Sequence, residues 1–169
     1  MGKETRHQLT LFVDKDDSEE IERIRKKFNP IQQQLINSHV TLCREDELPN
    51  TDTVLNFLKN LDAPEITIEF GPIIRFDNNK GVLLKSRGNN IQFHELRTKI
   101  LTSLKMPVRT HEPHITLMHP RNSNCTDENF EEIKSASLPT SLKFGTISLI
   151  EQIDGGQWKI MGKFNLRSH

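Results

Sequence analysis

Two short segments of this chain read almost the same way. His39-Val40-Thr41-Leu42 and His114-Ile115-Thr116-Leu117 each run histidine, β-branched apolar residue, threonine, leucine. Such a word suits a strand, where alternate side chains share a face. The apolar pair of each copy then anchors one side in a core. The imidazole and the hydroxyl stand on the other side, about 7 Å apart along the strand. From the abundance of these residue types, a given histidine begins such a word about once in a thousand, a risk that any motif claim must weigh. With 7 His in the chain, two copies by chance are rare enough to imply one site built from two related strands.

A pass along the sequence supplies the setting. Leu9–Val13 reads as a strand and Asp14–Asp17 breaks it. Asp17-Ser18-Glu19-Glu20 opens a helix with Ile21, Ile24 and Phe28 on one stripe, and Pro30 ends or kinks it. Ile36–Cys43 is the first motif strand, and Pro49–Thr53 opens a helix carrying Val54, Leu55, Leu58 and Leu61. Ile66–Phe70 alternates as a half-buried strand. Asp77–Gly81 is a turn, and Val82–Lys85 pairs back. The spacing of Ile91, Leu96, Ile100, Leu101 and Leu104 is helical, and Pro113–Met118 is the second motif strand. A short capped helix spans Thr126–Ser135. Leu142–Ile150 and Trp158–Leu166 form a hairpin across Asp154-Gly155-Gly156. The order is β-α-β-α-β-β-α-β-α-β-β, within a single domain over residues 1–169.

The paired words resemble the signature of the 2H phosphoesterase superfamily, which includes RNA 2',3'-cyclic phosphodiesterases and the 2'-5' RNA ligases. Pro113-His114-Ile115-Thr116-Leu117 is especially similar to the second motif of that family. The resemblance implies a two-lobed α+β fold: two small antiparallel sheets facing across a central cleft, with helices outside. It implies catalysis by His39 and His114, His39 as acid and His114 as base, with substrate binding by Thr41 and Thr116. Arg44 follows His39 by five residues, where the family often has a basic residue. The matching place after His114 holds His119, a departure that leaves the second basic contact open; Arg121 stands nearby.

The chemistry of the residues agrees. Hydrolysis of a cyclic phosphodiester needs one group to take a proton from water and another to give one to the leaving ribose oxygen. Free histidine titrates near 6.5, so one neutral and one protonated imidazole perform both tasks near neutral pH. Threonine hydroxyls hold phosphate oxygens but are not bases at that pH. No metal and no other cofactor is required.

Bulk properties narrow the substrate. Lys+Arg and Asp+Glu are both 23, so no global basic field holds long nucleic acid. A nucleotide or an RNA end is the expected partner. No membrane span and no signal peptide are read from the chain. The 2 Cys, Cys43 and Cys125, have no metal or disulfide spacing, which fits a reducing cytoplasmic setting. No protein partner is evident and a monomer is expected. Cys43 lies on the His39 face, and a buried small hydrophobe is the plainer role for it. Phe12, Phe70, Phe76 and Trp158 are the aromatic candidates for stacking on a base, since there is no tyrosine.

Three rival readings stand beside this one. His111, His114 and His119 with Glu112 suggest a metal cluster, although their spacing on a strand puts them on different faces. A non-enzymatic RNA-end or nucleotide-binding module is the second. A plain scaffold is the third, and it leaves the repeated word unexplained.

Overall fold

The computed structural model describes residues 3–168. Eight strands are β1 (Thr5–Phe12), β2 (His39–Cys43), β3 (Ile66–Phe76), β4 (Gly81–Ser86), β5 (His114–Met118), β6 (Ser141–Phe144), β7 (Thr146–Ile153) and β8 (Lys159–Asn165). Five α-helices are α1 (Glu19–Phe28), α2 (Pro30–Leu35), α3 (Thr51–Lys59), α4 (Ile91–Ser103) and α5 (Asp127–Lys134), and a 3₁₀ turn covers Glu45–Glu47.

Local chemistry explains most boundaries. Pro30 cannot continue α1 because it lacks an N–H, and it begins α2 instead, where that missing donor costs nothing. Asn50 caps α3 by accepting from Thr53 N at 2.9 Å, and Thr126 caps α5 by accepting from Asn129 N at 3.1 Å. The inward face of α4 differs from the expected stripe. Ile91 is 55% exposed, whereas Phe93 and Arg97 are buried with Leu96, Ile100 and Leu101.

All strand pairs are antiparallel, in the order β6-β3-β4-β5-β2-β1-β7-β8. In place of the two separate sheets that the resemblance implies, the strands form one continuous eight-stranded sheet. The reason lies in the two motif strands. They are neighbours in the middle of the sheet, and Val40 pairs with Ile115, both fully buried. That single pair is the seam between two four-strand halves.

The ends of the sheet explain its curl. Leu142–Ile150 reads as one strand in the sequence, but Gly145 divides it. The residues before Gly145 pair with β3 at one end of the sheet, and those after it pair with β1 near the other. One residue can join these places only if the sheet curls round. Main-chain bonds hold the approach: Leu166 N donates to Gly145 O at 2.9 Å, and Glu65 N donates to Arg167 O at 2.8 Å. The interior is lined by residues such as Leu9, Leu11, Leu42, Ile68, Leu84, Leu117, Ile147 and Leu149, each nearly or wholly removed from water.

Candidate active site at the seam

Both motif strands show the alternation their sequences predict. Val40, Leu42, Ile115 and Leu117 are buried, while His39, Thr41, His114 and Thr116 are half-buried. The latter four line one cavity of about 500 Å³. Because the strands are antiparallel and Val40 faces Ile115, His39 comes opposite Thr116 and Thr41 opposite His114. The site is thus built from two similar half-sites related by an approximate twofold. A second depression of about 580 Å³, on the outer side of α4, holds His94 and Lys99 but no comparable convergence of groups.

The two imidazoles are oriented alike. His39 Nδ1 lies 2.7 Å from the carbonyl oxygen of Asn37, and His114 Nδ1 lies 3.2 Å from that of Glu112. A carbonyl only accepts, so each Nδ1 carries the proton and each Nε2 keeps its lone pair. Burial pushes the His39 pKa down to about 4 against the pull of the Asn37 carbonyl, and the positive charge of Arg25 adds to the shift. Burial also lowers His114, opposed by the Glu112 carbonyl and assisted by Arg44. Without an anion in the cavity, both rings are neutral at pH 7.

The threonines are less alike. Thr41 Oγ1 accepts from Gln8 Nε2 at 3.1 Å, and the same amide reaches Thr10 Oγ1 at 2.9 Å. The Thr41 hydroxyl proton therefore remains for a ligand. Thr41 is also held through its main chain, because His111 Nε2 donates to Thr41 O at 3.0 Å. Burial pushes the His111 pKa down to about 4, so this ring too is neutral.

Arg44 and Arg121 line the same cavity, both exposed, and neither forms an ion pair among the described residues. Arg6 and Arg25 join them there. A chain of zero net charge thus concentrates four guanidinium groups round one cavity. Two of the four are engaged. Arg25 pairs with Glu22 and donates to Ile36 O at 2.8 Å. Arg6 pairs with Glu45 at 2.8 Å and lies over the Trp158 ring, 5.4 Å from its centroid.

Trp158 is the one aromatic candidate that lines the cavity. Phe70 is core, and Phe12 meets the His39 ring edge-on at 6.0 Å. Cys43 is fully buried and its thiol is pushed up to about 12 by that burial. The residues suggested as a metal cluster do not converge: among the described residues, no group of three His, Cys, Asp or Glu is placed to hold a metal ion. His111 and His114 have ring centroids 6.1 Å apart, and each ring spends one nitrogen on a main-chain carbonyl.

Arg6, Gln8, Arg25 and Gln32 are site-lining residues that the motif reading does not reach. Arg6 and Gln8 had a signal: they continue the polar alternate positions of β1, opposite Leu9 and Leu11. Arg25 had one as well, since it follows Ile21 by four and precedes Phe28 by three on the inward stripe of α1; its partner, the carbonyl of Ile36, is met only in the folded chain.

Beneath the site lies a charged support. Glu47 and Arg97 are both buried and paired. Glu47 also accepts from Arg44 N at 2.9 Å, and Arg97 also donates to Leu42 O at 2.9 Å. Burial raises the Glu47 pKa, but hydrogen bonds from Arg97 and the Arg44 main chain outweigh it and hold the carboxyl down at about 2. This pair grips β2 on either side of Cys43, just past Thr41.

The model of the 2'-5' RNA ligase superfamily matches residues 13–156, a span that includes both motifs. The chain belongs to that superfamily, and so to the 2H phosphoesterases. Its membership supports an enzyme of phosphodiesterase or ligase type. Solved structures carry the same fold. E. coli LigT complexed with 3'-AMP is 17% identical at a TM-score of 0.66, covering 96% of this chain and 98% of that one. E. coli LigT complexed with NADP+ is 16% identical at a TM-score of 0.65, covering 96% and 97%. A structure described as a phosphoesterase is 14% identical at a TM-score of 0.67, covering 96% and 99%. No curated protein matches the chain significantly by sequence. None of the described helices is long and apolar enough to cross a membrane.

Proposed function

We propose that the protein is a metal-independent phosphodiesterase. Its substrates are nucleotides or RNA ends carrying a 2',3'-cyclic phosphate or a 2'-5' linkage. The observation that carries the reading is the matched pair of imidazoles, each tethered at Nδ1 so that its Nε2 is free, on adjacent strands of one cavity.

In this reading His114 Nε2 takes a proton from water as the water oxygen bonds to phosphorus. The bond from phosphorus to the 3' oxygen breaks, and His39 gives that oxygen its proton. The product is a 2'-phosphate. The direction follows the family; for ligation the two roles exchange. His39 is neutral in the empty site, so the bound phosphate must supply the negative charge that brings its proton back. Thr41 and Thr116 hold non-bridging oxygens, with Arg44 and Arg121 compensating their charge. Each proton transfer is worth about 10²–10⁴-fold in rate.

Nucleotide-sized ligands fit the space. The cavity lies within the usual range for small-molecule sites. E. coli LigT has been solved with NADP+, 3'-AMP and ATP, which supports a nucleotide ligand here. The decisive assay incubates the protein with nucleoside 2',3'-cyclic phosphates, a 2'-5' dinucleotide and a cyclic phosphate of ADP-ribose, with and without chelator, and identifies the isomer formed. Binding without turnover of any of them would return the non-enzymatic nucleotide-binding module.

A further inference from the structure

His119 stands in the second half-site where Arg44 stands in the first, five residues after the motif histidine, and both line the cavity. The two positions differ in charge, and the surroundings of His119 determine which form of the ring is present. The main-chain N–H of Arg121 donates to His119 Nδ1 at 3.1 Å. An N–H only donates, so Nδ1 must keep its lone pair and the ring proton sits on Nε2. This is the opposite tautomer from that of His39 and His114, whose Nδ1 atoms face carbonyl oxygens.

The ring is carried on a fixed turn. His119 N donates to Asn29 Oδ1 at 2.7 Å, and Asn29 is 2% exposed at the junction of α1 and α2. The Asn29 amide donates in turn to Asn122 Oδ1 at 2.9 Å, and Ser123 Oγ donates to His119 O at 2.7 Å. These bonds fix the main chain that carries the imidazole, and the Arg121 N–H holds the ring itself.

We propose that His119 is a neutral hydrogen-bond donor to the substrate phosphate, acting through Nε2–H, in the half-site opposite the Arg44 cation. The proposal rests on the phosphodiester-binding reading of the cavity. It gives the site an asymmetry at matching positions: five residues after the motif histidine, one half-site presents a cation and the other an uncharged donor. The charged groups around the ring favour that form. Burial disfavours the protonated ring first, then Arg121 on the same turn and Arg6 on β1 act in the same sense; Asp77, in the turn between β3 and β4, opposes them. His39, near enough for the charge of His119 to bear on it, is neutral chiefly because it is buried. Protonation of His119 would also place two donors face to face at Nδ1.

The test uses the whole chain with inorganic phosphate as probe, so that it does not depend on turnover. Nitrogen-15 NMR of the histidine side chains should show His119 as the Nε2–H tautomer at pH 7, with its Nε2 resonance moving on phosphate addition. Phosphate affinity should fall about tenfold in His119→Ala, the scale of a hydrogen bond to a charged group, and return most of the way in His119→Gln, which is uncharged but keeps a donor. With a cyclic substrate the loss should appear in KM more than in kcat. A protonated or Nδ1–H ring at pH 7 would overturn the proposal, as would phosphate affinity unchanged in His119→Ala. Loss of phosphate binding in the Thr41→Val and Thr116→Val variants, measured alongside, tests the cavity reading separately.

Discussion

Val40 stands opposite Ile115 at the centre of the sheet, and this one pair joins its two halves. The same register that buries these two side chains sets His39 opposite Thr116 and Thr41 opposite His114. Each proposed proton-transfer group therefore works against the hydroxyl of the other motif. Core and site are coupled by the alternation of the strand: a one-residue slip of either motif strand would turn its histidine into the core.

Removing either imidazole should therefore disable chemistry without unfolding the chain. His39→Ala and His114→Ala should each lower kcat by at least ~10²-fold. The double variant should cost far less than the product of the two, because both act on one transition state. Steady-state kinetics with circular dichroism as a fold control decides this. Near-full activity in both single variants would end the two-histidine mechanism.

The threonines should behave as binding groups. Thr41→Val and Thr116→Val keep the shape of the strand and remove a donor, and each should cost roughly 1–3 kcal/mol of transition-state binding. Thr41→Val should leave the fold intact because Gln8 retains Thr10 as an acceptor. Values of kcat/KM together with thermal melting temperatures distinguish a binding loss from a folding loss.

Most of this site was legible before folding because the motif spans few residues and strand alternation is local. The pattern of His39, Thr41, His114 and Thr116 needed no tertiary information. The sheet was not legible in the same way. Nothing near Gly145 says that the residues before it pair with β3 and those after it with β1; that exchange depends on partners far away in sequence. Arg97 was unreadable for the same reason. On a helical wheel it falls within the stripe of Phe93, Leu96, Ile100 and Leu101, but nothing local says what would pair a buried guanidinium; Glu47 and the carbonyl of Leu42, both far away in sequence, do so. Arg44 and Arg121 were legible as positions, but that neither forms an ion pair among the described residues is a property of the fold.

Acid should weaken the fold in a defined window. His39 and His111 are both depressed to about 4. Unfolded histidine titrates near 6.5, so between these values the unfolded chain binds more protons than the native one. Stability is thus fully present above about pH 6.5 and falls as pH drops toward 4. Each such group contributes a slope of about 1.4 kcal/mol per pH unit inside the window. His111→Gln keeps a donor for Thr41 O and removes one titration. Urea midpoints between pH 7 and 4 should fall less steeply in that variant, and an unchanged slope would refute the assignment.

The buried ion pair should be costly to break on one side. Arg97→Met leaves the Glu47 carboxylate with only Arg109 and the Arg44 main chain, and should cost roughly 3–5 kcal/mol. Replacing both partners, as Arg97→Met with Glu47→Leu, should cost less than the sum of the single changes. A double-mutant cycle by chemical denaturation measures the coupling. Additive losses would mean that the pair does not act as a unit.

The direction of proton transfer is open to a test by leaving group. A p-nitrophenyl phosphodiester releases an oxygen that needs no protonation, so it bypasses the general acid but still needs a base. If His39 is the acid, His39→Ala should recover most of its lost rate on this substrate, while His114→Ala should stay impaired by at least ~10²-fold. Recovery in His114→Ala instead would reverse the roles. The rates should persist in excess EDTA, since water activation and leaving-group protonation both fall to imidazole nitrogens. Loss on chelation, restored by added zinc or manganese, would move the chemistry to a metal. The pH–rate profile of the wild-type protein on a natural cyclic phosphate should be bell-shaped, while that on the activated ester should lose its alkaline limb. That limb reports deprotonation of the acid, and an activated leaving group makes the acid unnecessary.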